Sequence, residues 1–283
     1  MISILTFNTA LQDVRFLGRS VNRPVDFVQE RLAELTKQLK VLNADIICLQ
    51  EFFHAELQNQ FYASLKSVYP YAAGYAKTGF KLRLGNELLI LSKFPLKDGK
   101  LTRFTHATIE ERFFTSKGMY RINVEIPGMK ELQLINFHMT AGGLRNHPED
   151  QHMEAIRSSQ IRQLLGSVSE DVPTLLAGDL NAGPETSKSN YSELLAAGLI
   201  DAFTNGNGSG ITWDPENSLV ASNREHHLPP QRIDHIFLNK TGAGKLAPVK
   251  SCIVLNAASV CLPDGRTISV SDHYGVRVDF NIS

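Results

Sequence analysis

Apolar positions along this chain switch repeatedly between a period of about two and one of about 3.6, as strands alternating with amphipathic helices require. Residues 2–7 (Ile2-Ser3-Ile4-Leu5-Thr6-Phe7) predict a strand. Residues 24–42 then place Val28, Leu32, Leu35, Leu39 and Leu42 at helical spacing, with Pro24 near the start. A short buried strand is expected at 46–49, and Leu57, Phe61, Leu65 and Val68 mark a second helix. Strands are expected at 88–91, 119–126 and 132–137. The middle one alternates through Tyr120, Ile122, Val124 and Ile126, and the Pro127-Gly128 step predicts an antiparallel turn. A third helix fits 149–165, a short strand fits 174–177, and strands at 233–238 and 274–280 close the chain. No repeat, low-complexity tract or linker interrupts the pattern, and 206–210 reads as a loop. The expectation is one α/β domain over 1–283, largely antiparallel, with helices on the outer faces and reactive residues at one edge.

Composition adds bounds. With 283 residues, 42% of them hydrophobic, the chain can bury a substantial core. Lys plus Arg equals Asp plus Glu at 29 each, and zero net charge argues against nonspecific nucleic-acid binding while leaving a local basic cleft open. Cys48, Cys252 and Cys261 lack metal-ligand spacing. Cys48 reads as a core thiol, and a Cys252–Cys261 pairing stays open. No stretch has the length of a membrane span and the start lacks a signal-peptide core. The chain therefore reads as soluble, cytoplasmic or exported by a route not visible in it.

Four fragments carry chemistry: Thr6-Phe7-Asn8, Leu49-Gln50-Glu51, Gly178-Asp179-Leu180-Asn181 and Ser271-Asp272-His273-Tyr274-Gly275. Each sets an Asp, Glu, Asn or His beside an apolar run, where a strand would deliver it to the rim of a sheet. A carboxylate-rich rim with histidines suits a hard divalent cation and an in-line phosphoryl displacement. Glu51 at a strand exit is a metal-ligand candidate or an ordinary surface carboxylate. In Gly178-Asp179-Leu180-Asn181 the glycine permits a sharp turn while Asp179 and Asn181 share one edge; the run is equally good turn chemistry. His273 is placed as a general base near neutral pH, with Asp272 serving a metal or its waters. A base needs a carboxylate on its other ring nitrogen, and Asp234 is the candidate, its alternative being an ion pair with Arg232. His138 ends an apolar run, either as a donor to phosphoryl oxygens or as a structural histidine. His147 and His226-His227 lie in polar loops.

Together these fragments resemble the endonuclease/exonuclease/phosphatase superfamily, from Phe7-Asn8 to Asp272-His273 in the expected order. The resemblance implies a deoxyribonuclease I-like fold: a four-layer α/β/β/α sandwich with mixed, largely antiparallel sheets. It implies metal-dependent phosphoester cleavage, with Glu51 and Asp272 on the metal side and Asn8 supporting metal and phosphate. Asp179, Asn181 and His138 match catalytic positions, His273 the base and Asp234 its partner. Several stretches look like the sphingomyelinase branch: Gly85-Asn86-Glu87 before Leu88-Leu89-Ile90-Leu91, Ser116-Lys117-Gly118, His138-Met139-Thr140-Ala141-Gly142-Gly143, Ala155-Ile156-Arg157-Ser158-Ser159-Gln160 and Thr212-Trp213-Asp214-Pro215-Glu216-Asn217. Asn86 would then assist phosphate binding, and Lys117 would add charge near the site or be solvated. Two departures stand out. Glu87 replaces a usual glycine, and residues 256–269 lack the aromatics with which secreted bacterial members enter membranes, leaving Val260, Leu262 and Pro263. Phe113-Phe114 would substitute or belong to the core.

The residues and the resemblance together imply a monomeric Mg²⁺-dependent phosphoric diester hydrolase, with Mn²⁺ as a substitute, acting on sphingomyelin or a related phospholipid at a membrane surface. Its rivals are a phosphoinositide or other phosphomonoester phosphatase, a nuclease of the same fold, and a non-catalytic binding protein on this scaffold. The lipid assignment rests on the Trp213 loop and the Ser116-Lys117-Gly118 step, well away from the Asp272-His273 pair.

Overall fold

The computed structural model describes residues 1–11, 14–16, 19–22, 26–52, 55–74, 87–109, 111, 117–129, 131–141, 150–220 and 228–283. Asn86, Phe113-Phe114, Ser116, Gly142-Gly143, His147 and His226-His227 lie outside these residues. Two six-stranded sheets face one another, and β2 (Val14–Phe16) pairs with β3 (Arg19–Asn22) apart from them. The first runs β13 (Leu246–Val254), β16 (Gly275–Ile282), β1 (Ile2–Leu11), β4 (Ile46–Phe52), β6 (Leu89–Ser92), β5 (Tyr71–Ala73). The second runs β11 (Ile200–Asp201), β12 (Asp234–Leu238), β10 (Thr174–Asp179), β9 (Leu132–His138), β8 (Gly118–Val124), β7 (Leu96–Arg103).

Period-two alternation sorts the side chains. Ile2, Ile4, Ile46, Cys48, Leu134, Leu175, Ile236 and Val278 fill the space between the sheets. Leu5, Phe7, Ile47 and Leu49 point outward and are covered by α1 (Val28–Leu42) and α2 (Ala55–Leu65). Ile135, Phe137 and Leu176 are covered on the opposite side by α3 (Gln151–Leu165) and α4 (Lys188–Ala196). The layers are therefore α/β/β/α, as the resemblance implies.

Each sheet holds one parallel pair at its centre, β1 with β4 and β9 with β10, among antiparallel neighbours. The C-terminal ends of those four strands carry Asn8, Glu51, His138 and Asp179. The antiparallel β12 begins at Asp234, and β16 begins just after His273, so all six groups meet at one rim. Parity gives Asn8, His138, Asp179 and Asp234 the inter-sheet face. Below them Gln50 Nε2 donates to Asn136 Oδ1 at 2.8 Å, a polar cross-link between the sheets.

Several elements depart from the sequence expectation. The first helix starts at Val28 rather than 24, after Phe27 in a left-handed conformation. Strands β7 and β13 and helix α4 were not expected. β7 (LKDGKLTR) is an edge strand, mostly exposed and bulged between Lys97 and Lys100, so it has no buried face to impose alternation. β13 is also an edge, bulged at Pro248/Lys250. Gly178 is no turn glycine: it lies within β10, and an added Cβ would stand 2.0 Å from Phe137 O. The hairpin β14–β15 (Val260–Cys261, Thr267–Ile268) lies back on the first sheet's helical side, with Val260, Leu262 and Ile268 in that core. Two of the three apolar candidates for membrane entry are thus buried. The three cysteines are free thiols, with Cys48 in the core as expected.

Candidate active site

Glu51 reaches the rim through a break in its strand. Its φ is +57°, a left-handed conformation costly for a non-glycine residue and common where function over-determines the backbone. The break reverses parity: Phe52 packs with the outward-facing Leu49 instead of alternating with it. The Glu51 carboxylate therefore stands 3.7 Å from His138 Nε2 with 17% of its side chain exposed.

Asp179 Oδ2 is the centre of the arrangement. Asn8 Nδ2 donates to it at 2.9 Å, while His138 Nε2 lies 3.4 Å away and His273 Nε2 4.0 Å away. Its Oδ1 accepts from Asn181 N at 2.8 Å, and Asn181 Nδ2 donates to Met139 O at 3.0 Å. Asn181 takes φ +53°, which asparagine tolerates well.

Each imidazole turns its second nitrogen to a buried carboxylate. His273 Nδ1 is 2.9 Å from Asp234 Oδ2, a charge-assisted hydrogen bond that leaves Nε2 facing the site. Arg232 does not compete for Asp234, because its ion pair is with Asp201 at 2.8 Å. His138 Nδ1 is 3.1 Å from Glu87 Oε1, an ion-pair separation without hydrogen-bond alignment. Lys117, almost fully buried, contacts His138 Nε2 and lies 3.2 Å from Nδ1. Two cationic donors cannot face each other there, so one proton lies between Lys117 Nζ and His138 Nε2.

Electrostatics follows from burial and this crowding. Burial disfavours the Asp179 charge, but His138, His273 and Lys117 outweigh it and hold the carboxyl below the usual range. For Asp234 burial prevails over His273, with Asp179 adding to it, and the pKa is raised. Burial lowers the proton affinity of His273, yet Asp234 first and then Asp179 overcome it, raising the pKa well above the ordinary value. His138 is raised in the same way, with Glu87 outweighing burial and Lys117 opposing. Burial, with Asp272 and Glu87, raises Glu51 against Lys117 and His138.

The signature stretches expected to lie far from the base are part of its support. Trp213 forms bridges with both Gln231 and His273. Thr212 Oγ1 accepts from Ile233 N at 3.0 Å and Asp234 N at 3.1 Å, and Asn217 Nδ2 donates to Ser271 O at 2.9 Å. The Trp-Asp-Pro loop therefore clamps the Asp234–His273 pair from both sides.

Sequence reasoning missed Glu87 as a site residue. Its signal was the departure itself, a charged residue in place of glycine before an apolar run. Every other candidate within the described residues arrives at the rim.

The donors present fit a divalent cation. Among the described residues, Glu51, Glu87, Asp179, Asp234 and Asp272 set five carboxylates against Arg31, the one charge shared by Lys117 and His138, and the His273 ring, so negative charge is in surplus. The ligand atoms of Asp179, Asp234 and His273 all lie within 4.8 Å of one another, a buried trio able to hold a metal. That trio competes with Glu51 and Asp272, because a metal on it would occupy the base.

The family model of the Endonuclease/Exonuclease/phosphatase family matches residues 5–273. The chain belongs to this family. Among named relatives, Sphingomyelinase C 2 of Leptospira interrogans is 25% identical over 235 residues, 76% of this chain and 36% of that protein. The chain thus spans about a third of that relative's length. Sphingomyelinase C from Streptomyces griseocarneus shares the fold with a TM-score of 0.78 at 20% identity, over 99% of both chains. A mutant of beta toxin from Staphylococcus aureus, with bound magnesium ions, superposes with a TM-score of 0.78 at 19% identity over 98% of each chain. Among the described residues of this family member, no helix is long and apolar enough to cross a membrane.

Proposed function

We propose that this chain is a Mg²⁺-dependent phosphodiesterase that hydrolyses sphingomyelin or a related phospholipid to a phosphorylated headgroup and a lipid alcohol. The observation that carries the reading is the pair of His–carboxylate couples facing one Asp179 oxygen. One couple can take a proton and the other can give one.

His273 Nε2 accepts a proton from the attacking water, with Asp234 holding Nδ1–H and the resulting charge. Asp179 orients that water while Asn8 and Asn181 keep the carboxylate in place and present amide donors to phosphoryl oxygens. Before bond breaking Glu87 stabilises the positive charge of the Lys117–His138 pair, and as the phosphorus–oxygen bond to the lipid breaks the proton between them passes to the leaving oxygen, leaving the pair neutral. Glu51 and Asp272 would hold Mg²⁺, a hard cation that prefers oxygen to the His273 nitrogen. The chemistry such an ion would supply is withdrawal of charge from a phosphoryl oxygen. Lipid specificity is supported by the sphingomyelinase relatives and by the Trp213 loop and Lys117 standing inside the site. The working unit is taken to be a monomer over 1–283, meeting its phospholipid at a membrane surface.

A panel of sphingomyelin, lysophospholipid, a phosphoinositide and plasmid DNA, each with Mg²⁺, Mn²⁺ or EDTA, tests this. Choline-phospholipid cleavage that EDTA abolishes is expected. Cleavage of DNA or release of phosphate from the phosphoinositide, with the lipids untouched, assigns the site to a different phosphoester. A blank panel with retained membrane binding points to a binding protein.

A further inference from the structure

Arg31 takes no part in the chemistry above, and its burial needs an account. It interrupts the apolar stripe of α1 between Val28 and Leu32 and is completely inaccessible to solvent. A guanidinium in such a place is costly unless all its donors are used. They are used on backbone carbonyls. Nε donates to Val270 O at 2.8 Å, Nη1 to Ala10 O at 3.1 Å and to Asp26 O at 3.5 Å, and Nη2 to Thr9 O at 2.6 Å and Ala10 O at 3.0 Å.

The positions of those carbonyls matter. Thr9 and Ala10 directly follow Asn8, where the β1–β4 register slips and Ala10 turns to φ +47°. Asn8 Oδ1 accepts from Ala10 N at 3.1 Å, so the slip also sets the Asn8 amide whose nitrogen holds Asp179. Val270 directly precedes Ser271-Asp272-His273. Ser271 adds a second stitch between the same two segments, its Oγ donating to Asn8 O at 2.8 Å. The acidic charges that Arg31 feels are Asp272 and Glu51, the carboxylates on the proposed metal side.

The other half of the sandwich repeats the device. Arg157, buried on α3, donates Nη1 to Thr140 O at 3.2 Å, two residues beyond His138, and Nη2 to Ser187 Oγ at 2.7 Å at the start of α4. In both halves a buried helix arginine donates to backbone carbonyl oxygen at the exit of a strand that delivers a site residue.

We propose that Arg31 is a positioning residue for the hydrolytic site: its planar fork locks the Asn8 bulge against the Asp272-His273 turn, and so sets phosphate-binding amide, metal-side carboxylate and base relative to one another. This role rests on the Glu51–Asp272 metal site of the reading proposed above. A lysine keeps the charge but cannot span three carbonyl directions with a rigid fork.

The test is Arg31→Lys, with kcat and KM on sphingomyelin in mixed micelles measured well below the variant's unfolding temperature. Mg²⁺ affinity is measured separately by calorimetry. A folded variant is expected to keep its KM while kcat falls and the Mg²⁺ Kd rises, each by roughly 10–100-fold, as for other groups that orient metal ligands. A folded variant with wild-type kcat and Mg²⁺ affinity overturns the proposal and leaves Arg31 a purely structural residue. Should Arg31→Lys not fold, the wild type decides: the buried Arg31 guanidinium signals in a ¹⁵N-edited spectrum are expected to shift as Mg²⁺ is added, and unchanged signals overturn the role. If the wild type hydrolyses none of the phosphoesters yet Arg31→Lys weakens Mg²⁺ binding, the hydrolytic reading falls and the positioning role stands.

Discussion

His273 Nδ1 lies 2.9 Å from Asp234 Oδ2, and the two side chains reach this contact from the start of β12 and from the turn just before β16, with almost no exposure to solvent. The contact fixes the tautomer: Nδ1 carries the hydrogen and Nε2 faces Asp179. Asp234→Asn changes shape very little but removes the acceptor that selects this tautomer. We expect kcat to fall by roughly 10²–10⁴ with little change in the unfolding midpoint. An unchanged kcat would remove His273 from the role of base.

The carboxylates around His273 also govern its titration. Asp234, Asp179 and Asp272 outweigh burial, so the metal-free ring stays protonated above its ordinary pKa. Its folded pKa exceeds the unfolded one, so it contributes stability that is fully present below about pH 6.5 and is lost as pH rises through the folded value. A base must be neutral, and activity should therefore rise with pH through that pKa. A divalent cation beside Asp272 lowers the pKa and moves the rise to lower pH. Titration of the His273 ring by NMR, with and without Mg²⁺, reads this directly; a pKa that Mg²⁺ leaves in place contradicts it.

Two carboxylate sets compete for the ion. Mg²⁺ should raise the unfolding temperature of the wild type, as any ligand of the native state does. Glu51→Ala should abolish that rise and His273→Ala should keep it. The opposite pattern gives the metal to Asp179, Asp234 and His273.

His235 supplies a pH dependence separate from the chemistry. Burial first, and then Arg232, lowers its pKa to about 4, and its Nε2 lies 2.9 Å from Ala182 O. The folded ring is neutral, whereas the unfolded ring takes up a proton below about pH 6.5. Stability is therefore lost as pH falls from about 6.5 to 4, by roughly 3 kcal/mol at the lower end. Urea unfolding of wild type and His235→Gln across that range should show a shallower slope for the variant. Parallel slopes would mean that the ring titrates normally.

At Gly178 the backbone of β9 leaves no room for a side chain on β10. A methyl group there meets Phe137 O at 2.0 Å, so Gly178→Ala must push apart the strands carrying His138 and Asp179. Destabilisation of roughly 3 kcal/mol is expected by denaturant unfolding, together with loss of activity. A variant of wild-type stability would show that the sheet yields at little cost.

The helices and central strands were legible because buried faces impose a period. Ile2 to Phe7, the α1 stripe and the run Leu132 to Phe137 each repeat apolar residues at the spacing their geometry needs. The rim residues were legible for the same reason, since a polar group closing an apolar run must leave the core where the strand does. Edge strands such as β7 have no such face, and their sequence carries no alternation to read. Gly178 shows the limit at a single position: the residue type announced a special backbone, but whether for a turn or a close approach depends on the neighbouring strand.

By itself the sequence determined the layered α/β architecture and a set of acids, amides and histidines at strand ends, because local periodicity and chain order encode both. Which groups face which depends on how the two sheets pack. That packing gave Asp234 to His273 and Asp201 to Arg232, buried Lys117 and Glu87 against His138, and brought Trp213 to the base from a loop far back along the chain. Partner choice depends on how two sheets stack and where a strand breaks, as at Glu51, and those are distances through space that spacing along the chain does not contain.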